Sequence, residues 1–304
     1  MKIRLLVALV PAVALLGLAV PALASDPQEV STNWAGYEAT PYRASGFSAV
    51  SAGWTQPAAQ CGATGQGQYA AFWVGLGGGQ DSSQALEQVG TQANCSGDGS
   101  ATYYAWYELV PAGPVRLGLS ISAGDRIYAR TAVRGDSVLI QLRDETTGQS
   151  VSRTLQMTDP APDTSTAEWV AEAPSSCSDG NTTGCSPLPL ADFGTVKFTN
   201  AYATSNGATG AIDGSNWSTA AINLSSGSSA GASPSSVSAG GAGFTVSYGG
   251  GDGGGGYSGY GGGGGYGGGY GYYGGGYYGG GGGYYGDGGG YYGGGYGYGS
   301  YYGY

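Results

Sequence analysis

The sequence predicts an all-β fold in which two antiparallel sheets pack as a sandwich, on three observations. From Asn33 to about Leu224 the chain runs in short stretches rich in Val, Ile, Thr, Tyr, Phe and Trp, separated by clusters of Gly, Pro, Ser and Asp. No window carries a sustained helical period with caps at its ends. This many strands have to bury their apolar sides against one another in two layers.

The strands follow in order: "FSAVSAGWTQP" from Phe47, "YAAFWVGL" from Tyr69, "LEQVGTQANC" from Leu86, "TYYAWYELVP" from Thr102 and "RIYARTAV" from Arg126. "SVLIQLRDETTGQSVSRTL" reads as a hairpin with "ETTGQ" at its tip and alternate apolar residues on its inward side. "TAEWVAEAP" and "TVKFTNAYAT" come next, and "FTVSYGG", ending near Tyr248, reads as a last strand after a Ser/Gly/Ala-rich linker.

Beyond residue 248 the composition changes. The chain holds 65 Gly and 26 Tyr, and most of both lie there. Without an aliphatic residue the stretch 249–304 cannot bury a core, so it is expected to be a disordered tail whose spaced tyrosines could stack on cell wall or on each other. At the other end, residues 1–24 have the pattern of a secretory signal: Lys2 and Arg4, an apolar run, and Ala22-Leu23-Ala24 before Ser25. Residues 25–248 are then the folded domain of a secreted, extracellular chain, with no membrane contact once the signal is removed.

Export explains the cysteines. Cys61, Cys95, Cys177 and Cys185 are an even set in an oxidising compartment, so two disulfides are expected, with local pairing the simplest assignment. A metal site is not expected, since the spacings fit no zinc motif and the chain has no His. A net charge of −10 excludes nucleic acid as a partner, because phosphate binding needs clustered Lys and Arg.

The absent histidine also removes Ser-His-Asp and Cys-His catalysis. "GLGGGQ" lacks the Lys-Ser/Thr of a phosphate loop and reads as a turn. Carboxylates and amides remain. In "AEWVAEAP" Glu168 and Glu172 share a strand face but lie about 13 Å apart, so neither can pair with the other. In "LEQVGT" Leu86, Gln88 and Gly90 share one face, and in "YAWYEL" Trp106 and Glu108 share another.

Six segments occur in a fixed order: "NWAGY" from Asn33, "FWVGL" from Phe72, "LEQVGT" from Leu86, "YAWYEL.P" from Tyr104, "AEWVAEAP" from Ala167 and "ADFGTVKFTNA" from Ala191. Together they resemble the glutamic peptidase (eqolisin) family over nearly all of Ser31 to Leu224. The resemblance implies a concanavalin-like, jelly-roll-type sandwich with a peptide cleft and a cofactor-free Gln–Glu dyad. By motif, the dyad is Gln88 and Glu172, with Trp73, Trp106 and Glu108 lining the cleft and Cys177 and Cys185 forming a small disulfide loop; Glu168 is then surface decoration. Where the family usually carries aspartates this chain has Gly77, Gln92 and Tyr104, which leaves the pH optimum open.

A glutamate can serve as base toward water and then as acid toward the leaving nitrogen, while a glutamine amide steadies the oxyanion. The expected activity is acid endopeptidase action on protein or peptide substrates, by a monomer. The rival readings are a glycoside hydrolase using Glu108 and Glu172, which needs two free carboxyls about 5–10 Å apart, and a carbohydrate-binding module at the cell surface.

Overall fold

The computed structural model describes residues 28–249 except 44–45, 81, 178–184 and 226–229. The expected signal and the Gly/Tyr-rich tail from 250 onward lie outside the described residues. Among the described residues there are eighteen strands and no helix. They are β1 (Gln28–Ser31), β2 (Trp34–Pro41), β3 (Phe47–Thr55), β4 (Gln68–Gly77), β5 (Leu86–Cys95), β6 (Ala101–Val110), β7 (Val115–Ser120), β8 (Arg126–Arg134) and β9 (Ser137–Asp144). The second half adds β10 (Ser150–Gln156), β11 (Ala167–Glu172), β12 (Ser175–Cys177), β13 (Cys185–Pro187), β14 (Thr195–Ser205), β15 (Ala208–Ala211), β16 (Trp217–Leu224), β17 (Ala232–Pro234) and β18 (Gly243–Tyr248).

Hydrogen bonding runs unbroken along β10-β9-β8-β3-β14-β18-β17-β16-β2-β11-β4-β5-β6-β7, with β1 parallel to β16 and β15 on β14. The two layers of the sandwich are the two halves of this one sheet, folded over so that β4 and β5 pack on β3, β8 and β9. The seam is β17, three residues inside the Ser/Gly/Ala-rich segment that the sequence presents as a linker. β12 and β13 form a separate hairpin joined by Cys177–Cys185, and Cys61 is joined to Cys95 at the end of β5.

Alternation decides what each strand gives to the core. Phe72, Val74 and Leu76 of β4, Val89 of β5 and Trp169 of β11 meet Val50 and Trp54 of β3, Ile127 of β8, Ile140 of β9 and Phe198 of β14. The buried indoles find partners across the layers: Trp54 Nε1 donates to Thr91 Oγ1 at 3.0 Å and Trp169 Nε1 to the Ser51 carbonyl at 2.9 Å. The β9–β10 hairpin has the expected inward row, Val138, Ile140 and Leu142. Its tip is held by buried Asp144, which accepts from the Thr146 and Thr147 amides and the Thr147 hydroxyl.

The outward face of β2, β4, β5 and β11 departs from the sequence expectation. All six residues of β11 are buried on both sides, and Glu168 is fully buried rather than solvent-facing. It stands directly opposite Glu38 of β2, and neither of its carboxyl oxygens has a partner among the described residues. Burial, then the Glu38 carboxyl, drives Glu168 well above the usual carboxylate range. Glu38 is pushed to about 8 by burial and by Glu29, and Glu87, on the inner face of β5, to about 9 by burial. Protonation offsets the cost of this burial, together with the Thr40 hydroxyl on Glu38 and the Asp163 amide on Glu87.

These carboxyls bind protons more tightly folded than unfolded, so their contribution to stability is complete below about pH 4.5 and is lost as pH rises toward 8–9. The melting temperature is therefore expected to be highest in acid and to fall continuously from about pH 5 to pH 8, and Glu38→Gln with Glu168→Gln should flatten that fall. Calorimetry across pH 3 to 9 measures it; a maximum at pH 7 contradicts it.

Candidate active site

The outward face of β2, β11, β4, β5 and β6 carries the sequence-predicted residues in registered rows. One row runs Glu38, Glu168, Gly75, Gln88, Glu108. Another runs Trp34, Glu172, Ala71, Gln92, Tyr104. Trp73 and Trp106 stand between the rows. All five site residues, Gln88, Glu172, Trp73, Trp106 and Glu108, are thus brought to one face, and all are buried.

Glu172 ends β11 and is held from two sides. Trp73 Nε1 donates to its Oε2 at 2.7 Å, and Asn33 Nδ2 donates to its Oε1 at 3.2 Å. The Trp34 indole also favours the ionised form, although its Nε1 stops short of hydrogen-bond geometry. Burial outweighs these donors and pushes the carboxyl up to about 8. The acid-range carboxylate expected of a solvent-facing strand residue is therefore not the resting state of this one.

Trp73 can lie in this position because glycines receive it. A Cβ at Gly90 would fall 2.6 Å from the Trp73 Cβ and 2.2 Å from the Phe72 carbonyl, and one at Gly75 would fall 2.9 Å from the ring carbon Cζ3. The indole therefore leans over Gly75, beside Gln88, while its nitrogen reaches Glu172. Trp34 packs edge-on against it with centroids 5.0 Å apart. Ala71, Leu86, Trp106, Val110, Val170, Ile222 and Cys177 of the β12–β13 hairpin complete the apolar surroundings.

Gln88 is oriented by Glu108: its Nε2 donates to Glu108 Oε2 at 2.7 Å, and its Oε1 has no partner among the described residues. One N–H and the amide oxygen remain for a ligand. Gln88 and Glu172 lie two strands apart and are offset by four residues. They flank the row that holds Trp73 and Trp106 and are not bonded directly to each other.

Asn33 is the functional neighbour that sequence reasoning passed over. It stands within "NWAGY", but its contact with Glu172 joins residues 139 apart in the chain. Among the described residues no group of acidic or sulfur side chains is arranged to hold a metal.

Comparison with known proteins identifies the family. Aspergillopepsin-2 of Aspergillus niger is 33% identical over 202 residues, covering 60% of this chain and 67% of that protein. The crystal structure of scytalido-glutamic peptidase with a transition state analog inhibitor superposes with a TM-score of 0.59 at 30% identity, over 71% of this chain and 98% of that one. That of SCP-B, a member of the eqolisin family of peptidases in complex with the tripeptide Ala-Ile-His, superposes with a TM-score of 0.57 at 27% identity, over the same shares. The Peptidase A4 family model matches residues 32–248, and the chain belongs to that family, the eqolisins, as a glutamic-type peptidase.

Proposed function

We propose that the protein is a secreted, acid-acting endopeptidase in which Glu172 serves as general base and acid and Gln88 as oxyanion partner. The observation that carries this reading is the buried Glu172 carboxyl, gripped by Trp73 and Asn33, on one face with the Gln88–Glu108 pair. In the unliganded site the proton stays on Glu172 throughout the acid range. Water and peptide entering this face relieve the desolvation that raises it, while the indole and amide donors remain to stabilise the anion. The carboxylate then takes a proton from water as the water oxygen attacks the scissile carbonyl carbon. The free N–H of Gln88 donates to the oxygen that becomes negative. Glu172 returns its proton to the leaving nitrogen, the C–N bond breaks, and both the acid and the amine product are complete.

Trp106, whose buried Nε1 has no partner among the described residues, is placed to donate to a peptide carbonyl. Glu108 acts through Gln88, holding the amide so that its free N–H and oxygen point to the reaction. This occupation argues against a glycosidase, which would need Glu108 as a free second carboxyl. Residues 1–24 serve as the export signal, 25–248 as the catalytic domain, and the Gly/Tyr-rich tail as an attachment to wall or to other copies; the two disulfides support the extracellular setting.

The test is digestion of an unfolded protein by the purified chain at about pH 3–4 and at pH 7, on either side of the ordinary glutamate value of about 4.3. Wild type is expected to cut in acid. Glu172→Gln and Gln88→Ala are each expected to lose at least about 10²–10³-fold in kcat/KM while remaining folded. Undiminished cleavage by either variant would remove the dyad, and no cleavage by folded wild type at either pH would leave binding as the function of this face.

A further inference from the structure

The row that contains Glu172 continues across Ala71 and Gln92 to Tyr104, where the outward face ends in a cation. Arg116 of edge strand β7 sits with its guanidinium carbon 3.9 Å from the Tyr104 ring centroid. Its direction is set by its neighbours: Leu117 and Leu119 point into the core, so Arg116 and Gly118 point to the outward side. Arg116 is exposed and opposite Trp106 in register, and no carboxylate pairs with it among the described residues. A Cβ built on Gly118 meets nothing within 4 Å, so the space beside the guanidinium is open.

We propose that Arg116, stacked on Tyr104, is a specificity-determining residue that favours peptides with Asp or Glu several residues to one side of the scissile bond. This rests on the reading of Glu172 as the reacting group. Three strand spacings separate Glu172 from Tyr104, about 14 Å, which an extended peptide covers in about four residues. The ring fixes the guanidinium and leaves its edge N–H groups free to grip a carboxylate with both oxygens.

The surroundings do not compete for it. The titratable groups on the outward face of β5, β6 and β7 are Tyr104, Glu108 and Arg116 itself, and Glu108 is buried and bonded to Gln88. β10, which also packs on β7, contributes only Arg153, of the same sign. The substrate carboxyl has to be ionised, so the preference should hold above the ordinary Asp and Glu range of about 4 and vanish below it.

The experiment uses a peptide with one cleavage site, scanned with Glu or Gln at each flanking position, at pH 5.5 and pH 3. At a position three to five residues from the cut, on one side only, wild type is expected to favour Glu over Gln by about three- to tenfold in kcat/KM at pH 5.5, and to cut the two peptides alike at pH 3. Arg116→Gln should abolish that ratio with the Gln peptide cut as before, and Arg116→Lys should keep part of it. A ratio near one in wild type at every position, or one that survives Arg116→Gln, overturns the proposal. If neither peptide is cut, the peptidase reading of Glu172 falls, and the Glu/Gln ratio of Kd from fluorescence anisotropy still decides whether Arg116 recognises the acid.

Discussion

The short bond from Trp73 Nε1 to Glu172 Oε2, inside a face with almost no solvent, is the constraint on which the rest of this site depends. A carboxyl in such a place is costly unless it is protonated or given donors. To supply the donor, the indole leans over Gly75 of its own strand, where a larger residue would meet the ring, and Gly90 opposite it leaves space for the Trp73 backbone and Cβ. Leaning there, the ring stands beside Gln88 at one end and bonds Glu172 at the other. Glu108 then holds Gln88 as Asn33 and Trp73 hold Glu172. The proposed base and oxyanion donor are thus each oriented by a neighbour, without a histidine anywhere in the chain.

Much of this was legible in the sequence. Period-two alternation in "LEQVGT" and "YAWYEL" puts Gln88 and Glu108 on their outward faces, and β5–β6 pairing makes them opposite one another. The β9–β10 hairpin follows from its apolar alternation and its Gly-containing tip. Three things were not legible. Alternation says which face a residue occupies but not whether that face is wet, so Glu168 reads as decoration although it is sealed against Glu38. Contacts between distant segments leave no local signal, and so Asn33 could not be tied to Glu172 from spacing. The seam at β17 was hidden for a related reason: a segment of Ser, Gly and Ala carries almost no strand propensity and is ordered only by β16 and β18 on its two sides.

The buried carboxyls give this protein a physical character beyond its reaction. Glu38, Glu168 and Glu172 lie on one face and Glu87 just behind it, and burial raises each of them. A protein built this way treats the proton as a structural ligand, bound in acid and surrendered toward neutrality. The low content of Lys and Arg serves the same end, because few cations remain to repel one another once the carboxyls are neutral.

The central claim is that Glu172 reacts as a carboxylate stabilised by the Trp73 indole. It is tested most directly by the pH dependence of kcat, which follows ionisation in the substrate complex, in wild type and in Trp73→Phe, which keeps a ring over Gly75 and removes only the donor. Losing a bond to the anion raises the carboxyl pKa, so the acid limb of the profile should move to higher pH by about one unit, with the fold intact. An acid limb that stays in place, or moves to lower pH, would show that Glu172 is not the group whose ionisation limits the reaction.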